Sequence, residues 1–182
     1  MISVEINGND YDLAEGWNEI TVEKFERIMK HSLFLKEYKS QTLFALEMFA
    51  ILLDAPIEDI KKLSKASFEV LTEKCAWANT EITSSNKNEF HINNKVYISV
   101  KDFDSLNMGD AISLEIMMSE SKSEEVLGNI LPMLIREAKP VVKAGETVLI
   151  AGDFNADEYK ELRELFVKNI MITDVIGLQN FF

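Results

Sequence analysis

One stretch of the chain, residues 153–164, carries oxygen-bearing side chains at a spacing that could bind a cation. Its sequence is DFNADEYKELRE, and these side chains occupy positions 1, 3, 5, 9 and 12 of a calcium-loop pattern. Such a loop turns sharply at its sixth position, where glycine is usual, and this chain has Glu158 there. Asn155 followed three residues later by Glu158 is instead the pattern of a capping box at a helix start. We therefore expect a helix to begin here and predict no metal site.

Few other side chains could do chemistry. Cys75 is the single cysteine and lies in an apolar run, which predicts a buried thiol rather than a nucleophile. His91 falls on a predicted strand with no second ligand at metal spacing, so we expect it to lie on a strand face. The sequence has no phosphate-binding glycine loop, dinucleotide fingerprint, zinc pattern or nucleophile elbow. We predict that the protein is not an enzyme and uses no cofactor.

The composition is that of a globular chain with an acidic surface. Of its 182 residues, 47% are hydrophobic and 27% are charged, which is enough to form a core. The 31 acidic and 19 basic residues give a net charge of -12. A phosphate-binding surface needs clustered Lys and Arg, and the densest basic stretch, residues 61–65, has Asp59 beside it. We therefore predict no sequence-specific nucleic-acid binding.

The sequence also indicates the cellular compartment and whether the protein associates with a membrane. A single cysteine allows no internal disulfide, which is typical of a reducing compartment such as a cytoplasm. The first residues, MISVEING, do not resemble a signal peptide. The most apolar run, residues 43–53, is shorter than the roughly 20 residues that a spanning helix needs. We therefore expect no membrane association.

Two β-hairpins are predicted. Apolar and polar residues alternate over the first thirteen positions around Asn7-Gly8, a pair that favours a tight turn. The same alternation recurs over residues 90–100 around Asn93-Asn94. The polar stretch 83–88 before it predicts a flexible loop or a link between lobes.

Helices are predicted in the first half of the chain. Thr21 can cap a helix that runs to about Leu33, since apolar residues recur there at helical spacing. In residues 43–53, ten of eleven residues are apolar, so this helix must be covered nearly all round. It is either a central core helix or a helix buried against a neighbouring subunit. A further helix is expected near residues 67–79.

The second half of the chain is predicted to hold one long helix. Gly109-Asp110 suggest a turn, and Ser121 with Glu124 matches a capping box. An apolar stripe then continues to Ile135, with a kink expected beside Gly128, because Pro132 removes one helical hydrogen bond and presses on the Gly128 carbonyl. Residues 147–151 could form a short strand.

Together these elements predict an α+β, mainly helical fold, with a helical core and two short antiparallel β-hairpins. Residues 1–182 are expected to form a single domain. Within it, an N-terminal helical lobe over residues 1–82 and a C-terminal lobe over residues 89–182 can be distinguished.

The last residues are unusually apolar. Two adjacent phenylalanines either dock on the core of their own chain or fill a pocket in a neighbouring molecule. The candidate partner-interface residues are Ile176, Leu178, Phe181 and Phe182.

The order of elements resembles a type of tailed-phage protein. Its segments are ITVEKFERI, LFALEMFAILLDAPIEDIKKLS, FHINNKVYISV, MGDAISLEIM, VLGNILPMLIREAK and DEYKELRELFVKNI before a final FF. In this order they resemble proteins of the structural gene clusters of Bacteroidota phages, including crAss-like phages. The resemblance covers most of the chain, but it is one of element order, and no catalytic or binding residue is carried over from it.

The resemblance implies two functions. One is a virion subunit in an oligomeric ring, or connector, at the head-to-tail junction. Its partners would be further copies of itself and other phage structural proteins, and it would be made in the host cytoplasm. The other is a tail assembly chaperone that stays in the host cell. A third interpretation, without the resemblance, is a generic intracellular protein-interaction domain.

Overall fold

The computed structural model describes residues 1–100, 106–143 and 145–181, and for residues 179–181 it describes the backbone alone. The fold is 53% helix and 21% strand, and its strands form two antiparallel sheets. This confirms the predicted α+β, mainly helical class. The chain divides into two compact units. Unit 1 comprises residues 1–83 and 171–173, and unit 2 comprises residues 84–170 and 174–182.

Unit 1 consists of a hairpin followed by helices. Its elements are β1 (Ile2–Ile6), β2 (Asn9–Leu13), α1 (Val22–Leu33), α2 (Gln41–Leu53), α3 (Ile57–Ile60) and α4 (Lys65–Lys74). The predicted first hairpin is confirmed, with Ile2 opposite Leu13 and Ile6 opposite Asn9. Asn7 and Gly8 have φ of 52° and 80°. Positive φ at both turn residues matches the twist of the paired strands.

The predicted helix starts in unit 1 are confirmed by their caps. The Thr21 side chain accepts a hydrogen bond from the Lys24 N–H, and α1 ends at Leu33. The predicted helix near residues 67–79 is α4 continued by a 3-10 turn, Ala76–Asn79. After α7 of unit 2, the chain returns to unit 1, where the Ile172 N–H donates to the Ile20 carbonyl.

Unit 2 is a four-stranded antiparallel sheet packed with helices. Its elements are β3 (Glu89–Ile92), β4 (Lys95–Ser99), α5 (Met108–Glu120), α6 (Val126–Leu134), β5 (Ile135–Lys143), β6 (Glu146–Ala151) and α7 (Tyr159–Asn169), followed by α8 (Ile172–Val175), which begins in unit 1. The strand order is β3-β4-β5-β6. The second predicted hairpin is confirmed as β3–β4, and the short strand expected at residues 147–151 is confirmed as β6.

Three predictions in unit 2 are wrong. Gly109-Asp110 lie in the first turn of α5, because the Asn107 side chain caps this helix by accepting from the Asp110 N–H. Ser121 ends α5 rather than starting the next helix, and its hydroxyl donates to the Met117 carbonyl. The long helix stops at Leu134, where the backbone becomes extended and Ile135 enters β5. Because β5 and β6 continue the sheet, the second hairpin forms half of a four-stranded sheet.

The core of unit 2 lies between this sheet and α5, α6 and α7. Its fully buried side chains include Leu114, Ile130, Leu131, Met133, Ile135 and Phe166. The Phe166 ring meets the Tyr97 ring edge-on, with 5.1 Å between centroids. The sheet therefore packs on the core at β4 and at the start of β5. The rest of β5, together with β6, extends beyond this contact.

Candidate functional site

The stretch with calcium-loop spacing is a helix start. The Asn155 side chain accepts from the Asp157 N–H at 3.1 Å and donates to the Glu158 carboxylate at 2.8 Å. A 3-10 turn then leads into α7, which confirms the predicted start. Asp153 instead accepts a hydrogen bond from Lys139, and this bond lowers the pKa of its carboxyl. Across the described ranges, no three His, Cys, Asp or Glu side chains converge as metal ligands would.

The cysteine and the second histidine lie where the sequence predicts. Cys75 is a buried free thiol, and burial raises its pKa to about 11, so the thiol is protonated at neutral pH. His91 is exposed on β3, and its Nε2 lies 2.6 Å from a Glu89 carboxylate oxygen. The raised pKa means that Cys75 lacks the environment of a reactive thiolate.

The first histidine belongs to a partly buried polar cluster that the sequence did not reveal. His31 lies in α1, with its Nε2 3.0 Å from the Phe44 carbonyl, so Nε2 carries the proton that this bond requires. The imidazole stacks on the Phe44 ring at 4.3 Å. The Tyr38 hydroxyl lies 3.4 Å from the other ring nitrogen and donates to the Glu47 carboxylate. The hydrogen bond to Glu47 raises the pKa of Tyr38.

This cluster holds α1 and α2 together across their connection. His31 donates from Nε2 to the Phe44 carbonyl and Tyr38 donates its hydroxyl proton to Glu47, so these side chains link α1, the connection after it and α2. Glu47 is the one polar residue in the apolar run 43–53, and that interruption was the available signal for a polar contact.

In unit 2, a buried ion pair likewise connects two elements. The Arg136 Nη2 lies 3.0 Å from the Asp110 carboxylate, and both side chains are largely buried. Its Nε donates to the Met133 carbonyl at 2.8 Å. The pair therefore connects the start of α5 to the point where α6 becomes β5.

The apolar helix α2 is less covered than its sequence predicts. Its buried residues are Phe49, Leu52 and Leu53, whereas Leu43 is 37% exposed. The prediction that other residues cover this helix on nearly all sides is therefore wrong within the single chain. One side of α2 borders a recess of 430 Å³, whose apolar lining includes Trp17, Leu35, Phe44, Phe49 and Phe68.

Helix α5 presents an apolar stripe outward. Met108, Ile112 and Ile116 are 75%, 50% and 51% exposed, and their spacing of four residues places them along one face. The opposite face buries Ala111 and Leu114. Three large apolar side chains in a row on solvent are typical of a protein–protein contact.

The distal part of the β5–β6 hairpin, residues 138–143 and 145–151, forms a second exposed apolar surface, here called the ribbon. Pairing of β5 with β4 ends at Tyr97 opposite Glu137, so the ribbon has only two strands. Val142 and Leu149 are 71% and 45% exposed. Isolated two-stranded hairpins are marginally stable in water, so a partner that covered the ribbon would stabilise it.

The predicted partner-interface residues lie in unit 2. Ile176 and Leu178 belong to a 3-10 turn, Ile176–Phe181, where Leu178 is buried and Ile176 is half-buried. The Phe181 side chain and all of Phe182 lie outside the described residues. Of the four, the structure therefore describes the side chains of Ile176 and Leu178 alone.

Comparisons with protein-family models, with curated proteins and with solved structures find no match to this chain. A search of the described helices for a membrane span finds none with the length and apolar character required.

Proposed function

We propose that this protein is a non-enzymatic structural subunit that assembles with copies of itself, as part of a ring at the head-to-tail junction of a tailed phage. The observation that carries the proposal is the exposed stripe of Met108, Ile112 and Ile116 on α5. The choice of a ring at the head-to-tail junction comes from the resemblance of the order of elements to phage structural proteins.

Exposure of the stripe to water is unfavourable, and its burial in an assembly would remove that free-energy cost. Full burial of a side chain such as Ile is worth about 1.5–3 kcal/mol relative to exposure. A ring closes through head-to-tail contacts, in which one patch meets a different patch on the next copy. An apolar stripe on one helix is suited to such a contact, because its partner surface need not be the stripe itself.

The charge of the chain suits a ring around a DNA channel. Its net charge of -12 is spread over both halves of the sequence. A wall without clustered cations offers phosphates no strong attraction, so DNA would pass without being held. An assembled particle whose channel is lined by Lys and Arg would contradict this part of the proposal.

Mass spectrometry of purified particles tests the function. A ring subunit is expected in particles of the encoding phage at a constant copy number per particle. Its absence from particles, together with its presence in infected cells, would exclude the ring function.

Variants of α5 test the interface. Ile112→Glu places a charge within the stripe and is expected to block assembly of the subunit into particles. Gln41→Glu adds the same charge to an exposed position in the first turn of α2, outside the stripe, so it should assemble like the wild type. Equal assembly of both variants would show that the stripe is not a contact.

One observation favours a tail assembly chaperone as the second candidate. The aromatic recess beside α2 is an apolar concavity with Leu35 exposed at its rim. A chaperone must hold apolar segments reversibly, and such a recess could hold one. The particle measurement separates the two functions, since a chaperone is found in infected cells and not in virions.

A further inference from the structure

Acidic side chains flank the exposed stripe on α5. Asp110 pairs with Arg136 in the interior. Glu115 and Glu120 are exposed and have no ion-pair partner in the part of the chain that the structure describes. At 3.6 residues per turn, Glu115 lies about 60° to one side of Ile112 around the helix, and Glu120 about 80° to the other. Since α5 contains no lysine or arginine, its outward face is apolar along the centre and negative on both flanks.

The aromatic recess of unit 1 has an apolar lining without a charged residue. Apart from Ser32, Thr72 and Asn79, every residue along its wall is apolar, and its volume of 430 Å³ is that of a typical binding pocket. Residues 33–35 are large, apolar and exposed, and Leu35 lies at the rim of the recess. A group that fills this recess must therefore be apolar.

The stretch of chain around the rim carries unpaired lysines. Lys30, Lys36 and Lys39 are exposed, and among the described residues none of the three has an ion-pair partner. By contrast, five other Lys and Arg side chains of unit 1 each pair with a carboxylate. Residues 30–39 contain these three lysines and one acidic residue, Glu37. The surface beside the recess is therefore locally positive in a chain whose net charge is -12.

The face of α5 and the recess are complementary in shape, polarity and charge. One is a convex apolar surface flanked by unpaired carboxylates, and the other is an apolar concavity bordered by unpaired ammonium groups. Charge complementarity of this kind selects a partner and fixes its register. Because one chain carries both surfaces, a second copy of the chain offers the recess the acidic, apolar helix that it fits.

We propose that the aromatic recess of one copy binds α5 of a second copy, with Ile112 as the central apolar anchor. Glu115 and Glu120 then lie against the lysines of residues 30–39. This inference rests on the proposed self-assembly and names the surface that the stripe contacts. The two surfaces differ, so the contact is heterologous, and its repetition closes a ring if the rotation between copies allows closure.

The acidic net charge of each copy does not prevent this contact. Two chains of net charge -12 repel each other, but at physiological salt the repulsion is screened beyond a Debye length of roughly 8 Å. At contact the charges within that distance dominate, and here they are lysines facing glutamates. An anionic membrane would extend over much more than this distance and would also face the acidic remainder of the chain, so it fits this surface less well.

Two matched variants of the full-length protein test the contact. Leu35→Glu puts a charge at the rim of the recess, and Ile112→Glu puts one in the stripe. Both wild-type side chains are 50% exposed, so neither substitution disrupts the core. In sedimentation velocity the wild type should self-associate, and each variant alone should remain a monomer. Gln41 does not line the recess, so Gln41→Glu should associate like the wild type.

A mixture of the two variants gives the sharpest result. Leu35→Glu retains an intact stripe, and Ile112→Glu retains an intact recess. Mixed in equal amounts, they should form a heterodimer of twice the chain mass of 20.8 kDa and no larger species, because one functional contact remains. A contact between two identical surfaces would not be restored by mixing.

A pair of charge reversals tests the role of the glutamates. Glu115→Lys and Glu5→Lys both raise the net charge of -12 by two, and Glu5 is exposed on β1, outside both surfaces. If general repulsion alone acted, both variants would associate more tightly than the wild type. Instead, Glu115→Lys should raise the dissociation constant about 10-fold, because it places a lysine against lysines. Glu5→Lys should not raise it.

The outcomes separate this inference from the ring function. Wild-type protein that stays monomeric, two monomeric variants that form no heterodimer, or a Glu115→Lys variant that associates like Glu5→Lys would overturn the inference. Loss of association in Ile112→Glu but not in Leu35→Glu would keep the stripe as a contact and reject the recess as its partner. Absence of the protein from purified particles would exclude the ring function and leave this contact in place.

Discussion

The Cys75 thiol gives a chemical readout of the packing of unit 1. It is buried, and burial raises its pKa to about 11, because a thiolate is poorly solvated there. At pH 8 the thiolate fraction should therefore be on the order of 100-fold lower than for a thiol with the reference pKa of 9.0. We expect the native protein to react with a disulfide reagent at least that much more slowly than the urea-unfolded protein, as measured by absorbance. Equal rates would show that Cys75 is exposed.

Asp54 should make stability depend on pH. Burial raises the pKa of its carboxyl, but hydrogen bonds from Lys24 and Arg27 lower it by more, and the net shift is downward. A lowered folded-state pKa stabilises the fold above the unfolded pKa of about 3.9, and this contribution is lost as pH falls through the folded-state pKa.

The Asp54→Asn variant isolates this effect. Asparagine also tolerates the left-handed backbone at this position, where φ is 50°. Urea unfolding should show the variant less stable than the wild type at neutral pH, with the difference shrinking as pH falls below about 4. The carboxylate has no such role if the difference in free energy of unfolding is the same at every pH.

The sequence predicts the environment of a single residue better than it predicts which side chains that residue contacts. The environments of Cys75 and His91 follow from the residues next to them. The cluster around His31 does not, because its members come from α1, from the connection after it and from α2, and only packing brings them together. The same is true of Arg136 and Asp110, which are 26 positions apart.

Among the elements, α5 depends on its first turn. The Asn107 side chain accepts from the Asp110 N–H and donates to the Asp110 carboxylate, which also pairs with Arg136. We expect Asn107→Ala to lower the free energy of unfolding by about 1 kcal/mol, as measured by urea denaturation. Asn107→Ser keeps a capping oxygen and should recover most of this loss. Equal losses in both variants would mean that the cap does not stabilise α5.

Element boundaries explain where the sequence was misleading. Thr21 and Asn155 precede clear helical patterns, and both were correctly identified as helix starts. Ser121 matches the same pattern but closes α5, because its hydroxyl bonds to the Met117 carbonyl instead. After Leu134 the apolar run continues for one residue, Ile135, while the backbone changes from helix to strand. A buried helix and a buried strand have the same composition over such a short run, so periodicity could not separate them.

For the whole molecule, the pattern of predicted elements gave the correct fold class, but it could not predict which apolar residues are exposed. Apolar residues are usually buried, so the sequence alone does not single out those of α2, α5 and β6 that are exposed. In the structure part of this surface lies on solvent within the single chain. The outward stripe on α5 therefore became visible only once α5 was positioned against the core of unit 2.

The most direct test of the central claim, that these exposed surfaces are contacts between subunits, is the mass of the purified wild-type protein under native conditions. One chain has a mass of 20.8 kDa. We predict species at multiples of this mass whose fraction rises with concentration, up to about 100 µM. A protein that remains at 20.8 kDa throughout that range would contradict the claim.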